Sequence, residues 1–290
     1  IMAESGLPNG VFNLVCGTGL AVGAPLSAEP RIAKISFTGS NAVGVQVMQR
    51  AAETVKGVSL ELGGKSSLLV LADADIDLAV ELACGGAFFN AGQMCSATSR
   101  VLVAEALEEQ FLIRLQKRAQ AIRVADPFDP EVEMGALVNQ AQYQRVLGHI
   151  DRGLSAGAKL LCGGNRPEHL PRGYFLQPTV FTDVPLDSAL WCEEIFGPVL
   201  CVRSFSSETE AIALANDSQF GLVASVVTRD VETADRVANA LQAGLVWLNA
   251  PQVIFPQAAW GGYKQSSIGR ELGPWGLAAF QEIKHVIRAV

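Results

Sequence analysis

Short apolar runs alternate with amphipathic stretches along nearly the whole chain, and that alternation constrains the fold more than any other feature. Ala33–Gly39 (AKISFTG) reads as a buried strand that breaks at a glycine into a helix over about 41–55. Strands are predicted at 57–64 (GVSLELGG) and 66–73 (SSLLVLAD), with a helix over 76–90. RVLVA is a strand, and LEEQFLIRLQKRAQAI is a helix with apolar residues at 107, 111, 112, 115 and 122. YQRVLGHIDRGLSAGA is a second helix, then PVLCVRSF, GLVASVVT and LVWLN are strands separated by ETEAIALAND and VETADRVANALQAG. Strands that alternate with helices in this way make a parallel sheet covered by helices. The opening IMAESG is expected to be a helix end, Val11–Val15 a strand, and the terminal FQEIKHVIRAV an exposed strand suited to pairing with a neighbour or a second subunit.

Charge and cysteine usage exclude several functions. The net charge is −7, which argues against nucleic acid and anionic membranes as partners, since both need basic patches. No apolar run reaches the ~18 residues that a membrane span needs, and a cytosolic location is expected. The six cysteines contain no C-x-x-C pair, and none lies near His149, His169 or His285 in sequence. A disulfide framework and a metal site are therefore not expected.

One cysteine stands apart. In FFNAGQMCSATSR, Cys95 is surrounded by Gly92, Gln93, Ser96, Ala97 and Ser99 in a chain that is 49% hydrophobic. A packing cysteine usually sits among aliphatic residues, so Cys95 is either a half-buried thiol or a nucleophile. Small polar surroundings and a nearby helix start are expected to favour its thiolate. Glu61, in LELGGKS, is a carboxylate amid apolar residues at a Gly-Gly turn. Burial would lift its pKa toward that of a general base, whereas a strand glutamate pointing to solvent fits the spacing equally well.

The glycine-rich pieces differ in value. GTGLAVG spaces its glycines one residue too far for a dinucleotide fingerprint. LGGKSS cannot be a phosphate loop, because its first glycine would have to stand at Ser59. In SFTGSNAVG a strand ends at Gly39 and Ser40 opens a helix, an arrangement that suits a pyrophosphate.

FFNAGQMCSATSR, LELGGKS, FTGSNAVG, EEIFGPV and GGYKQSSIGRELG stand here in an order that resembles the aldehyde dehydrogenase superfamily. The resemblance covers the whole chain, from a point inside that family's cofactor domain to its C-terminal strand. It is strongest toward betaine-aldehyde and aminoaldehyde dehydrogenases. It implies an α/β fold with a parallel-sheet catalytic domain plus part of a Rossmann-like cofactor domain. Residues 1–61 would be the C-terminal part of the NAD(P)-binding domain, 62–276 the catalytic domain and 277–290 an oligomerisation strand. A homodimer or homotetramer is implied, as is a C-terminal portion whose cofactor domain is incomplete.

By the same resemblance Cys95 is the nucleophile, Glu61 the general base, and Glu271 a carboxylate supporting Glu61. Gly39, Ser40 and Gly44 would meet the pyrophosphate of NAD or NADP, Glu194 the nicotinamide ribose, Phe196 the nicotinamide and the Leu62 backbone its carboxamide. The implied reaction oxidises an aldehyde to a carboxylic acid through a thiohemiacetal and a thioester on Cys95. Ser267 stands where the family signature K-x-S-G-x-G-R-E has glycine, a change that matters if that position needs a positive φ. Trp260, with Phe89 and Phe255, would form a box for an ammonium head. Leu245 occupies a position that influences whether trimethylammonium fits. A smaller aminoaldehyde, an uncharged aldehyde, a cofactor-free cysteine hydrolase and a catalytically silent fragment are the rival readings.

Overall fold

The computed structural model describes residues 1–2 and 4–289; Ala3, in the expected helix end, and Val290, last of the expected terminal strand, lie outside them. The large sheet collects seven strands: β3 (Ser67–Val70), β4 (Arg100–Ala104), β5 (Lys159–Cys162), β6 (Thr179–Thr182), β7 (Val199–Phe205), β9 (Val223–Val227) and β10 (Leu245–Leu248). Their order is β10-β9-β3-β4-β7-β6-β5, parallel throughout except for the edge strand β5. The central strands β3, β4 and β9 are buried at every position. Their continuous Val, Leu and Ala runs reflect helices on both faces.

Those helices are α3 (Ile76–Phe88), α4 (Glu108–Ala121), α5 (Gln140–Ser155), α6 (Ala189–Cys192), α7 (Glu208–Asn216) and α8 (Val231–Ala240). Most have a side chain satisfying their first amides: Asp75 caps α3, Asn139 caps α5, Ser207 caps α7 and Asp230 caps α8. Such caps contribute about 1 kcal/mol each. On α4, Phe111, Leu115 and Ala119 recur at helical spacing and vanish into the core.

A smaller sheet, β1 (Lys34–Thr38), β2 (Gly57–Glu61) and β12 (Ser267–Ile268), lies beside the large one. Between β1 and β2 runs α2 (Asn41–Ala52), capped by Ser40 and packed through Gly44, Val47 and Ala51. The chain thus returns to the smaller sheet at 267–268, where Ser267 is the register partner of Glu61. Ahead of this lies a two-stranded pair, β8 (Phe220–Gly221) and β11 (Tyr263–Lys264). The remaining helices are α1 (Ala24–Ala28), which follows a π turn over Gly19–Gly23, and α9 (Gly273–Ala278).

Three expectations are corrected. The opening residues form turns, with the Ser5 amide donating to the Ile1 carbonyl. Residues 11–15 are irregular, with Val11, Leu14 and Val15 more than 60% exposed. Residues 280–289 are irregular too. Alternation in sequence reports two-faced character, but a strand also needs a ladder partner, and neither segment has one among the described residues. Within the glycine-rich Gly17–Gly23, Gly19–Gly23 forms the π turn, and none of the segment takes part in the cleft below.

Candidate active site

Three loops meet where the two sheets adjoin. The first leaves the carboxyl end of β2 and enters β3 (61–66), the second leads from α3 into β4 (89–99), and the third leads from α6 into β7 (193–198). The site therefore lies at the carboxyl ends of the small sheet's parallel strands and the amino ends of β3, β4 and β7. The loops touch through backbone. A Cβ on Gly64 would stand 2.4 Å from the Cys95 carbonyl oxygen, and one on Gly92 would stand 2.2 Å from that of Gly197. Only glycine allows either approach.

The turn ahead of Cys95 is strained: Asn90, Ala91 and Gly92 all have positive φ, at 51°, 54° and 69°. Left-handed backbone at two non-glycine residues costs about 1–3 kcal/mol each and concentrates at functional sites. Asn90 and Gln93 lock this turn by reciprocal side-chain bonds, each amide group donating to the other's carbonyl. Cys95 is half-buried, packed beside Leu222, Val223, Trp247 and Trp260. Its expected thiolate character is corrected. Burial, then the charges of Glu194 and Glu61, push the thiol up, while the backbone amides of Ser96 and Cys95 pull it down. Cys16 and Cys192, not Cys95, are the exposed cysteines.

Glu61 is 4% exposed, and neither carboxylate oxygen has a hydrogen-bond partner. Burial, then the negative charge of Glu271, lift its pKa to about 7 against a downward pull from Arg270. The solvent-pointing alternative for Glu61 is thereby ruled out. Glu271 accepts from the Ser36 hydroxyl at 3.1 Å. Its backbone exchanges two 2.8 Å hydrogen bonds with Trp260. Glu194 accepts from the Gly64 amide at 3.1 Å, and burial raises its pKa. Its neighbour Glu193 points elsewhere, into an ion pair with Arg152.

A cleft with about 1010 Å³ of open space runs along the three loops. Gly39, Ser40, Leu62, Glu194 and Phe196 line it together with Cys95, as expected from sequence. Gly44 does not. Its amide donates to the Ser40 carbonyl, and a Cβ there would stand 2.6 Å from a Leu62 methyl, so its smallness lets α2 press on β2. Thr38 and Gly63, inside FTGSNAVG and LELGGKS, also line the cleft, as do Gln142 and Arg145, which no motif announced. Gln142 donates to the carbonyls of Ile195 (3.0 Å) and Phe196 (2.7 Å), holding Phe196 at φ 56°. Asn41 accepts from the Gly63 amide, and the Ser266 hydroxyl donates to the Gly63 carbonyl. Ser267 has no positive φ, and its hydroxyl bonds the Gly262 carbonyl at 2.9 Å, so serine is accommodated in the signature loop.

The residues present fit a dinucleotide. The 12-residue α2 presents its N-terminus to the cleft, a ready anion site. A Cβ on Gly63 would collide with the Glu194 carboxylate at 2.6 Å, so the backbone there is bare by necessity.

The three aromatic residues expected to form one box differ in exposure. Trp260 is half-buried in the cluster holding Cys95 and Leu245. Phe89 and Phe255 are 64% and 61% exposed, and neither stacks on Trp260.

Fold and site together define an α/β protein with a thiol and a buried carboxylate beside a dinucleotide-sized cleft. The chain belongs to the aldehyde dehydrogenase family, whose profile matches residues 1–286. It is 50% identical to the chloroplastic aminoaldehyde dehydrogenase of Arabidopsis thaliana over 286 residues, 99% of this chain and 57% of that protein. It is also 50% identical to peroxisomal aminoaldehyde dehydrogenase 1 of Pisum sativum, over 99% of this chain and 57% of that one. Among solved structures, the NAD+ complex of betaine aldehyde dehydrogenase from Staphylococcus aureus superposes with a TM-score of 0.93. The identity is 42%, over 95% of this chain and 55% of that one. The chain thus spans a little over half the length of the relatives it matches. The expectation of a cytosolic location is overturned by the chloroplastic and peroxisomal relatives. Mild acidity and the lack of a long apolar run do not distinguish one aqueous compartment from another.

Proposed function

We propose that the protein oxidises an aldehyde to a carboxylic acid, with Cys95 as nucleophile and Glu61 as general base. The observation that carries this reading is Glu61 itself. A buried carboxylate without a partner is costly to keep, and a pKa of about 7 is where a general base works best at neutral pH. It sits in the loop whose Gly64 presses on Cys95.

Cys95 gives up its thiol proton to solvent, its sulfur adds to the aldehyde carbon, and the carbonyl electron pair moves to oxygen. The backbone N–H of Cys95 supplies one donor to that oxyanion. A nicotinamide cofactor, when bound, supplies the acceptor for the hydride that turns the thiohemiacetal into a thioester. Gly39, Ser40 and the start of α2 would hold its pyrophosphate, Glu194 its ribose, and Phe196 and the Leu62 backbone its ring. The NAD+ complex of the Staphylococcus aureus relative supports NAD as that cofactor. Glu61 then takes a proton from water, the hydroxide attacks the thioester carbonyl, the C–S bond breaks and the acid leaves. Burial, and after it the charge of Glu271, keeps that base near neutrality.

Residues 1–61 would be the C-terminal part of the cofactor domain, ending at Glu61, and 62–276 the catalytic domain, from which Leu62, Glu194 and Phe196 also reach the cofactor cleft, with β12 as a tie back to the smaller sheet. Residues 277–290 would join a second subunit, a reading supported by the exposure of Phe280, Ile283 and Ile287. The names of the relatives support betaine aldehyde or an aminoaldehyde as substrate. Trp260 would face the ammonium. An uncharged aldehyde is the second reading, supported by the exposure of Phe89 and Phe255. Single-turnover intact-mass measurement on Glu61→Gln in the full-length protein, with NAD and aldehyde, tests the mechanism. Acyl-enzyme should accumulate on Cys95, and an unchanged steady-state rate would remove Glu61 from it.

A further inference from the structure

A second cavity, with about 700 Å³ of open space, lies on the other side of Met94 from the cofactor cleft. Met94 lines both spaces. One wall is a single face of α3 and its exit, made of Leu82, Gly85, Gly86 and Phe89; the other is the strip Ala250–Gln252. Gln252 is tied twice to Ser96, the residue after Cys95. Its side-chain oxygen accepts from the Ser96 hydroxyl at 2.9 Å, and its amide donates to the Ser96 carbonyl at 3.1 Å. The cavity is thus built around the loop that carries Cys95.

Two adjacent glycines inside a helix weaken it relative to alanine and call for a reason. Gly86 has one in packing: a Cβ there would stand 2.1 Å from the Thr98 hydroxyl. Gly85 has none, since a Cβ built on it meets nothing within 4 Å. Its backbone is ordinary right-handed helix, so conformation does not demand glycine either. Gly85 is exposed and lines the cavity. Its walls are mainly apolar, and the one ionised side chain among them, Glu81, is paired with Arg118.

We propose that Gly85 sets the size of the aldehyde that can be seated at Cys95, by keeping α3 bare where the tail lies, and that the substrates are aldehydes with an extended or bulky body. The inference rests on the reading of Cys95 as the aldehyde acceptor. A side chain at 85 shortens the space available to the tail and leaves the reacting carbon untouched.

The test needs no cofactor. Cys95 displaces iodide from iodoacetamide, N-benzyl iodoacetamide and N-octyl iodoacetamide, forming an S–C bond, and peptide mapping separates it from the exposed Cys16 and Cys192. The wild-type chain, Gly85→Ala and Gly85→Leu are compared. Iodoacetamide should label Cys95 at similar rates in all three, which also shows that the loop is intact in the variants. The benzyl and octyl reagents should slow by about tenfold or more in Gly85→Leu, the lower range for a misfit in an apolar pocket, with Gly85→Ala between. Equal rates for every reagent in all three chains would overturn the role of Gly85. Failure of every reagent to reach Cys95 in the wild-type chain would instead overturn Cys95 as an accessible nucleophile.

Discussion

The backbone of Gly261 runs against the Glu61 carboxylate so closely that a Cβ at 261 would stand 2.8 Å from Oε1. The same glycine has φ +141° and is followed, nine residues on, by the Arg270-Glu271 pair that sets the charge around Glu61. Loop 260–271 is therefore the lid over the buried carboxylate, fastened at both ends by the Trp260–Glu271 hydrogen bonds. Gly261→Ala should destabilise the chain by about 1–3 kcal/mol, the range for a strained backbone position. It should also displace Glu61. Urea unfolding checks the first outcome. An acid-release rate lower than wild type in the full-length protein, with acylation of Cys95 preserved, checks the second.

Glu61 should leave a signature in the pH dependence of stability. Its pKa is raised from 4.5 to about 7 in the fold. The unfolded chain therefore loses this proton first as pH rises. The stabilisation from the bound proton is complete below pH ~4.5, falls between ~4.5 and ~7, and is gone above ~7. The total is on the order of 3 kcal/mol at 1.36 kcal/mol per pKa unit. Glu61→Gln removes the titration, so the variant should gain on wild type as pH rises from 4.5 to 8. Paired urea midpoints at the two pH values measure the gain, and equal differences at both would show that Glu61 is not held near neutrality.

Cys95 is restrained by its carboxylate neighbours. Burial raises its thiol most, then Glu194, then Glu61. Glu194→Gln should therefore lower the apparent pKa of Cys95 and speed its alkylation at pH 8. The buried Cys84, Cys162 and Cys201 should stay unlabelled in both chains. Partial labelling with isotope-coded iodoacetamide and peptide mapping gives the ratio.

The motif residues were legible because each stands within a few positions of a strand end, where backbone exposure and chemistry coincide. Gly39 and Ser40 follow β1, Glu61 ends β2, and Cys95 and Glu194 shortly precede β4 and β7. Their neighbours from distant elements were not legible. Gln142 and Arg145 sit on α5 among residues that read only as the polar face of an amphipathic helix. Asn41 and Ser266 stand inside two of the motifs, but neither motif shows that the Asn41 amide meets the Gln265 carbonyl, 224 positions on. The apolar run at 11–15 and the alternation at 280–289 were real, yet pairing depends on a partner strand that the segment itself does not encode.

Gln142 offers the sharpest test of that unannounced group. Its amide nitrogen donates to two consecutive carbonyls, those of Ile195 and Phe196, and Phe196 sits at φ 56°. A bulky residue in left-handed backbone persists only where its surroundings hold it. Gln142→Leu fills nearly the same space and removes both bonds, leaving two part-buried carbonyls short of a donor at a cost of about 1–3 kcal/mol. The strained loop should then open locally, so hydrogen exchange across residues 194–199 should accelerate while strand β4 keeps its protection. In the full-length protein the same variant should weaken NAD binding more than it slows alkylation of Cys95, because Phe196 lines the cofactor cleft and Cys95 is held by its own turn. Uniform loss of protection across both segments would mean that Gln142 supports the fold at large and not the Phe196 loop.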